Sequence, residues 1–232
     1  METFTELKSE LQSRLMVADN STLFSDTRLG QLINNAYLWA AGLFDWPELE
    51  MARTTDSEAG AFYYDYPDDY KTDSIYYMTV NGVEHDRKSF EDWLDFKRNN
   101  PDETSEKIFA NHGRQYFIFP TPTASELPIC IFGQIKPETM SEASDTTIFS
   151  KGDPQGNEAV IKKALSEGIR RADQKLAEAE EGGAVGILTL IHTRIASRNQ
   201  RDQRLDHPKF DVPDFFATGK QPYRKGTFEP NN

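Results

Sequence analysis

Three clusters of carboxylates are the residues in this 232-residue chain whose types and spacing could do chemistry. They are Asp65, Asp68 and Asp69; Glu91, Asp92 and Asp95; and Asp102, Glu103 and Glu106. A pair of carboxylates can divide acid and base work, one protonating a leaving group while the other attacks or activates water. Here they lie among 38 acidic residues with no sign of a pocket around them, and solvated faces account for them more simply. His85, His112, His192 and His207 fall in separate segments, without the spacing by which a helix such as HExxH presents two ligands to one metal. The glycine-containing stretch Lys151–Gly156 lacks the order a phosphate loop needs and reads as a linker into a helix. Cys130, the single cysteine, lies in a strand-like run and reads as a buried thiol. No catalytic, metal or cofactor residue emerges, so the expectation is a protein that is not an enzyme and carries no cofactor.

One cationic pattern stands apart. Arg194, Arg198, Arg201 and Arg204 are spaced 4, 3 and 3, which on a helix gathers them within about a third of a turn. Such a stripe is either a salt-bridged outer face or an interface that pairs with carboxylates of a neighbour, or faces phosphates. The rest of the charge favours a protein partner. Residues 1–150 hold 12 Lys and Arg against 26 Asp and Glu, a net −14, whereas residues 151–232 hold 14 against 12, a net +2. A body this acidic argues against a protein that wraps nucleic acid through its phosphates. No apolar run approaches the roughly 20 residues of a membrane span. METFTELKSE has neither the basic nor the apolar region of a secretory signal.

The elements that must carry these residues follow from periodicity. Thr3 and Glu6 form a capping box ahead of Phe4, Leu7, Leu11 and Leu15 at helical spacing, a helix ending near Asp19. Ser25 or Asp26 caps a second helix with Leu29, Ile33, Ala36, Tyr37 and Ala40 on one face, which Pro47 terminates at the corner Asp45-Trp46-Pro47. Residues 51–150 change to a β pattern: a run at Ile75–Val80 before the hairpin signal Asn81-Gly82, a short helix over Phe90–Lys97, a second hairpin around residues 111–114, and a strand over Pro128–Lys136. Helical period returns near Asn157, with Ile161, Leu165, Ala172 and Leu176 in a third helix that ends at Gly182-Gly183. Leu188, Ile191 and Ile195 stripe a fourth, from about Val185 to Arg204. Beyond Leu205, prolines 208, 213, 222 and 230 exclude regular structure, while Phe210, Phe215, Phe216, Tyr223 and Phe228 recur among them. Disordered tails are poor in aromatics, so this segment reads as an arm that orders on a partner.

The expected fold is α+β but mainly α: a four-helix bundle with an inserted antiparallel β meander and an extended C-terminal arm. The organisation that goes with it is residues 1–50 as an N-terminal helical hairpin, 51–150 as the β insert, 151–204 as the helices completing the bundle, and 205–232 as a docking arm.

The ordered set Phe24-Ser25-Asp26, LINNAY (Leu32–Tyr37), the corner DWP (Asp45–Pro47), YDYPDDY (Tyr64–Tyr70), Asn81-Gly82 and FIFPTP (Phe117–Pro122) resembles one family: the head-to-tail connector, or adaptor, proteins in the neck of tailed phages. The resemblance spans about residues 1–200. It implies a structural virion protein that forms a ring, commonly of about twelve copies, beneath the portal protein. Such a ring surrounds the channel through which genomic DNA passes without sequence-specific contacts, and it offers a platform to tail or nozzle proteins. It further implies assembly in the host cytoplasm, no membrane partner, and a C-terminal arm that reaches the portal, here the five aromatics named above. Arg194, Arg198, Arg201 and Arg204 are then candidates for an inter-subunit or lumenal surface, with Asp45, Trp46 and Pro47 as a structural corner. The expected free state is a monomer. Alternative roles are a neck stopper or tail terminator of the same particle, and, outside that class, a carbohydrate- or nucleic-acid-acting enzyme using the acidic clusters.

Overall fold

The computed structural model describes residues 2–16, 23–206, 223–224 and 227–228, and from residue 198 onward the backbone path alone. Five helices and nine strands lie in these segments. Four helices share one core. α1 (Phe4–Arg14) starts at the Thr3 capping box, where Thr3 N–H donates to Glu6 Oε2 at 2.8 Å. α2 (Asp26–Leu43) is capped by the Ser25 hydroxyl. The alanines of α2 (Ala36, Ala40, Ala41) and of α4 (Gln155–Ile169: Ala159, Ala164) are fully buried, and their small side chains permit close approach of the two helices. α5 (Gln174–Asp206) runs back along α4 and adds Ala184, Leu188 and Ile191 to the core.

The remaining elements form a seven-stranded sheet: β1 (Glu50–Asp56), β2 (Tyr63–Asp65), β3 (Tyr77–Val80), β4 (Val83–Lys88), β5 (Ile108–His112), β6 (Gln115–Phe119) and β7 (Pro128–Gln134), in the order β1-β7-β3-β4-β5-β6-β2. Its inner face buries Met78, Val80, Phe109, Tyr116, Ile118, Ile129 and Ile131 together with Tyr66, Tyr70 and Ile75. On the outer face α3 (Phe90–Asn99) lays Trp93 against Ile108, Ala110 and Phe119. Successive residues of β5 and β6 therefore face two different cores, as the two-residue period of a strand requires.

This corrects the expected architecture. The chain is not a mainly α bundle with a small meander, because the seven-stranded sheet has its own two cores and its own helix. Nor is the β region purely antiparallel. β4 and β5 pair in parallel, Asp86 opposite Ile108, and α3 is the crossover between them. A parallel pair needs such a connection, so the short helix read from the sequence is a topological necessity rather than an ornament on a meander. β1 was not expected at all. All seven of its residues are exposed, so it shows no apolar alternation, yet it pairs with β7 from Glu50 opposite Gln134 to Asp56 opposite Pro128.

The break between the last two helices is also displaced. Gly182 and Gly183 lie inside α5, and the chain turns instead at residues 170–173, where the Asp173 carboxylate caps the amide of Leu176 at 3.0 Å. A side chain at Gly183 would begin 3.6 Å from Lys162 Cδ, an ordinary contact distance, and one at Gly182 would meet nothing within 4 Å, so the pair neither ends the helix nor is required by its packing. Leu176, placed in an apolar stripe by the sequence reading, is 48% exposed. Among prolines said to exclude regular structure, β8 (Tyr223–Arg224) and β9 (Thr227–Phe228) form a two-residue antiparallel ladder.

Candidate functional site

The corner after α2 joins the helical core to the sheet. A helix leaves its last four carbonyls without intrahelical donors. Here Trp46 Nε1 donates to Ala40 O at 3.2 Å, and Lys71 Nζ, from the segment before β3, donates to Ala41 O at 2.8 Å and Phe44 O at 3.3 Å. Burial holds the Lys71 ammonium below the usual lysine range, against the opposing pull of Asp45. Trp46 is buried, edge-on to Phe149 at 5.1 Å and to Phe44 at 5.8 Å, and its backbone amide donates to Gln134 Oε1 at 3.1 Å. Pro47 opens a single 3-10 turn (Pro47–Leu49) that leads into β1. Asp45 is exposed.

Beside the corner α5 passes with His192 stacked on Phe44, ring centroids 4.5 Å apart. Trp46, Phe149, Ile191 and Ile195 form the apolar floor of a cleft of about 200 Å³, and Glu48, Asp153 and Arg194 stand at its rim. Arg194 reaches across to Asp153 Oδ2 at 3.4 Å and Gln155 Oε1 at 3.1 Å, at the start of α4. Of the four arginines it is the one whose side chain lies among the described residues. α5 continues twelve residues past Arg194, roughly 18 Å at the helical rise, whereas α4 begins at the level of Arg194. Among the described residues, Ile195 is its last side chain packed against the helical core. Arg198, Arg201 and Arg204 therefore sit on a projecting length of helix, though their side chains lie outside the described residues. So do Phe210, Phe215 and Phe216; Tyr223 and Phe228 are cross-strand partners in the ladder of β8 and β9.

The rest of α5 is fastened to α4 by charge. Lys163, 7% exposed, places its ammonium 2.7 Å from Glu181 and 4.9 Å from the Trp39 ring centroid. Lys162 meets Glu180 at 2.7 Å, and Arg14 clasps both oxygens of Glu158 at 2.8 and 2.7 Å. Hydrogen bonds from Lys163 to Glu181 and from Arg14 to Glu158 hold both carboxyls below the usual carboxylate range. These pairs lock helices, and none lines the cleft beside Trp46.

The acidic clusters are dispersed in local roles. Asp69 pairs with Arg53 at 2.6 Å, and Asp65 accepts from Gln115 at 3.0 Å. Asp92 accepts from the Ser89 hydroxyl that caps α3, and Asp95 lies 3.4 Å from Arg98. Glu103 accepts the amides of Thr104 and Ser105, and the Ser105 hydroxyl together with these amides keeps its carboxyl low. His85 is buried against Val83 O, and burial pushes it below the usual imidazole range; His112 stacks on Phe90 at 4.3 Å. His207 lies outside the described residues. Among the described residues no three His, Cys, Asp or Glu side chains come together as a metal site, and no helix is long and apolar enough to cross a membrane. Cys130 is half-buried rather than buried, because it points to the outer face of the sheet.

What the geometry presents is a body with one helical core and two sheet cores, and a projecting, arginine-bearing helix. It brings together helix ends and interlocking ion pairs, not reactive groups. Over residues 2–208 the sequence matches the model of the SU10 adaptor protein family, and the chain belongs to that family. It is therefore a structural phage adaptor protein, with the virion neck as its place and portal and tail proteins as its neighbours. No individually curated protein matches the chain.

Proposed function

We propose that the protein assembles as a ring, of about twelve copies, beneath the portal and around the DNA channel, and gives the tail its attachment platform. The observation that carries this reading is the projecting end of α5 in a family of adaptors: eleven helical residues follow Ile195 and lead directly into an aromatic, proline-rich sequence. A helix end with no core to pack on is marginal in water and gains its stability from what it meets in an assembly. The arm, residues 205–232, is the portal-docking element, with Phe210, Phe215, Phe216, Tyr223 and Phe228 as its anchors, since aromatic side chains carry most interface energy per residue. DNA passes an acidic body that repels its phosphates, which keeps contacts weak and free of sequence preference.

The test is reconstitution with the portal protein from the same genome, followed by electron microscopy. Rings on the portal support the reading. A protein that binds tail components and ignores the portal is a stopper or tail terminator instead. Removing residues 205–232 is expected to abolish portal docking while the circular dichroism spectrum of the body stays unchanged; docking that survives the truncation removes the arm from the mechanism.

A further inference from the structure

α3 covers the outer face of the sheet over β5 and β6 only. Over β1, β7 and β3 the same face is bare, and the strand register sets out its side chains in two rows. Ala52 lies opposite Phe132, which lies opposite Tyr77; Thr54 lies opposite Cys130, which lies opposite Thr79. These six residues are exposed or half-buried, and none carries a charge in a chain that is 28% charged. Phe132 and Tyr77 form an edge-to-face pair at 5.4 Å, an aromatic centre for the patch. Carboxylates frame it. Glu50 and Asp56 stand at the two ends of β1, and Glu84, opposite Thr79, stands with Asp86 along β4. None of the four takes part in an ion pair among the described residues. An uncharged aromatic centre inside a charged rim is the anatomy of a protein interface.

The complementary surface is on the same chain. Taking Arg194 as reference, the helical period puts Leu190, Ser197, Arg198, Arg201, Arg204 and Leu205 within about a third of a turn of one another on α5. Leu190 is 50% exposed, and Arg198, Arg201 and Arg204 lie on the projecting end. We propose that, in the ring inferred above, the projecting end of α5 from one copy lies on the bare outer face of β1, β7 and β3 of the next, beside that copy's own α3. Its Leu205 meets the Phe132–Tyr77 centre, and its guanidinium groups reach the carboxylates at the rim and the aromatic faces. The occupant is a second copy of this chain, and the argument for it is charge: three arginines in the sequence of the α5 end, opposite four carboxylates that form no ion pair among the described residues. Two different surfaces, each complementary to the other, make a head-to-tail contact, which is the kind that closes into a ring.

This inference rests on the ring reading, and Cys130, inside the proposed patch and the chain's only cysteine, lets the two be separated. Wild-type chain is mixed with a Ser197→Cys/Cys130→Ser chain, assembled on the portal, and treated with a short bis-maleimide. The expected product is a covalent dimer containing one chain of each kind. In parallel, Arg198→Glu/Arg201→Glu should raise the concentration for half-assembly by about tenfold, the scale of losing one or two close interfacial charge pairs. Adding Glu84→Lys/Asp86→Lys to the same chain should restore much of it. If wild-type rings form but give no mixed dimer, or the arginine reversal leaves assembly unchanged, this interface is wrong and the ring reading stands. If wild-type chain forms no ring with its portal, the ring reading falls and the interface with it.

Discussion

Replacing Trp46 by Phe tests how the corner holds the helical core to the sheet. The indole N–H satisfies Ala40 O, one of the last carbonyls of α2, inside a site where Trp46 is 1% exposed. Phenylalanine keeps an aromatic ring between Phe44 and Phe149 but has no donor. A buried carbonyl left without its hydrogen bond costs about 1–3 kcal/mol. The smaller ring also leaves a cavity whose lost packing adds roughly 1 kcal/mol. Together these give about 2–4 kcal/mol. For a chain of this size each kcal/mol lowers the melting temperature by about 2–4 °C, so Trp46→Phe is expected to melt about 5–15 °C below wild type. Differential scanning calorimetry reads the shift, and hydrogen exchange should locate faster opening at the end of α2 and across the turn into β1. The arm is untouched, so portal docking at a temperature where the variant is folded should match wild type. A melting point within about 1 °C of wild type, with unchanged exchange over residues 40–50, would refute the account of the indole as the helix-end donor.

Two further perturbations follow from the same packing. Gly156→Ala would place its Cβ 2.3 Å from the buried Phe149 ring, so it should cost about 1–3 kcal/mol by overpacking, read as a lower urea midpoint at unchanged slope. Glu181 is held below the usual carboxylate range in the folded state, chiefly by its hydrogen bond from Lys163, so its contribution is fully present above the ordinary pKa and is lost as pH falls through the lowered folded value. Glu181→Gln should therefore melt lower at neutral pH and show a shallower decline of melting temperature between about pH 5 and 3; equal slopes in the two proteins would contradict the assignment.

Much of the local structure was legible because it is decided within a few residues. The Thr3 and Ser25 caps, the stop at Pro47 and the Asn81-Gly82 turn each satisfy or constrain backbone groups of their immediate neighbours. Asn81 and Gly82 have φ values of 49° and 74°, as a two-residue hairpin turn with both central residues left-handed demands. The break between α4 and α5 was misread at Gly182-Gly183, although the capping residue Asp173 is present in the sequence, because glycine is common just past a helix end yet is also tolerated inside one, as it is here. β1 escaped notice because an edge strand with both faces exposed carries no buried alternation.

The family, the helix starts, the hairpin turn and the cationic spacing of α5 belong to the sequence alone, since each depends on contacts or spacing within a short stretch. Only the tertiary structure decided the parallel pairing of β4 with β5, the placing of β1 beside β7 some 80 residues later, and the level at which α4 begins and α5 is left to project. Those choices are made by burial between distant segments: Phe109 and Ile118 facing one core while Ile108 and Phe119 face another. They matter for function because α3 covers only part of the sheet's outer face and the backbone of α5 runs on past the start of α4, carrying Arg198, Arg201 and Arg204.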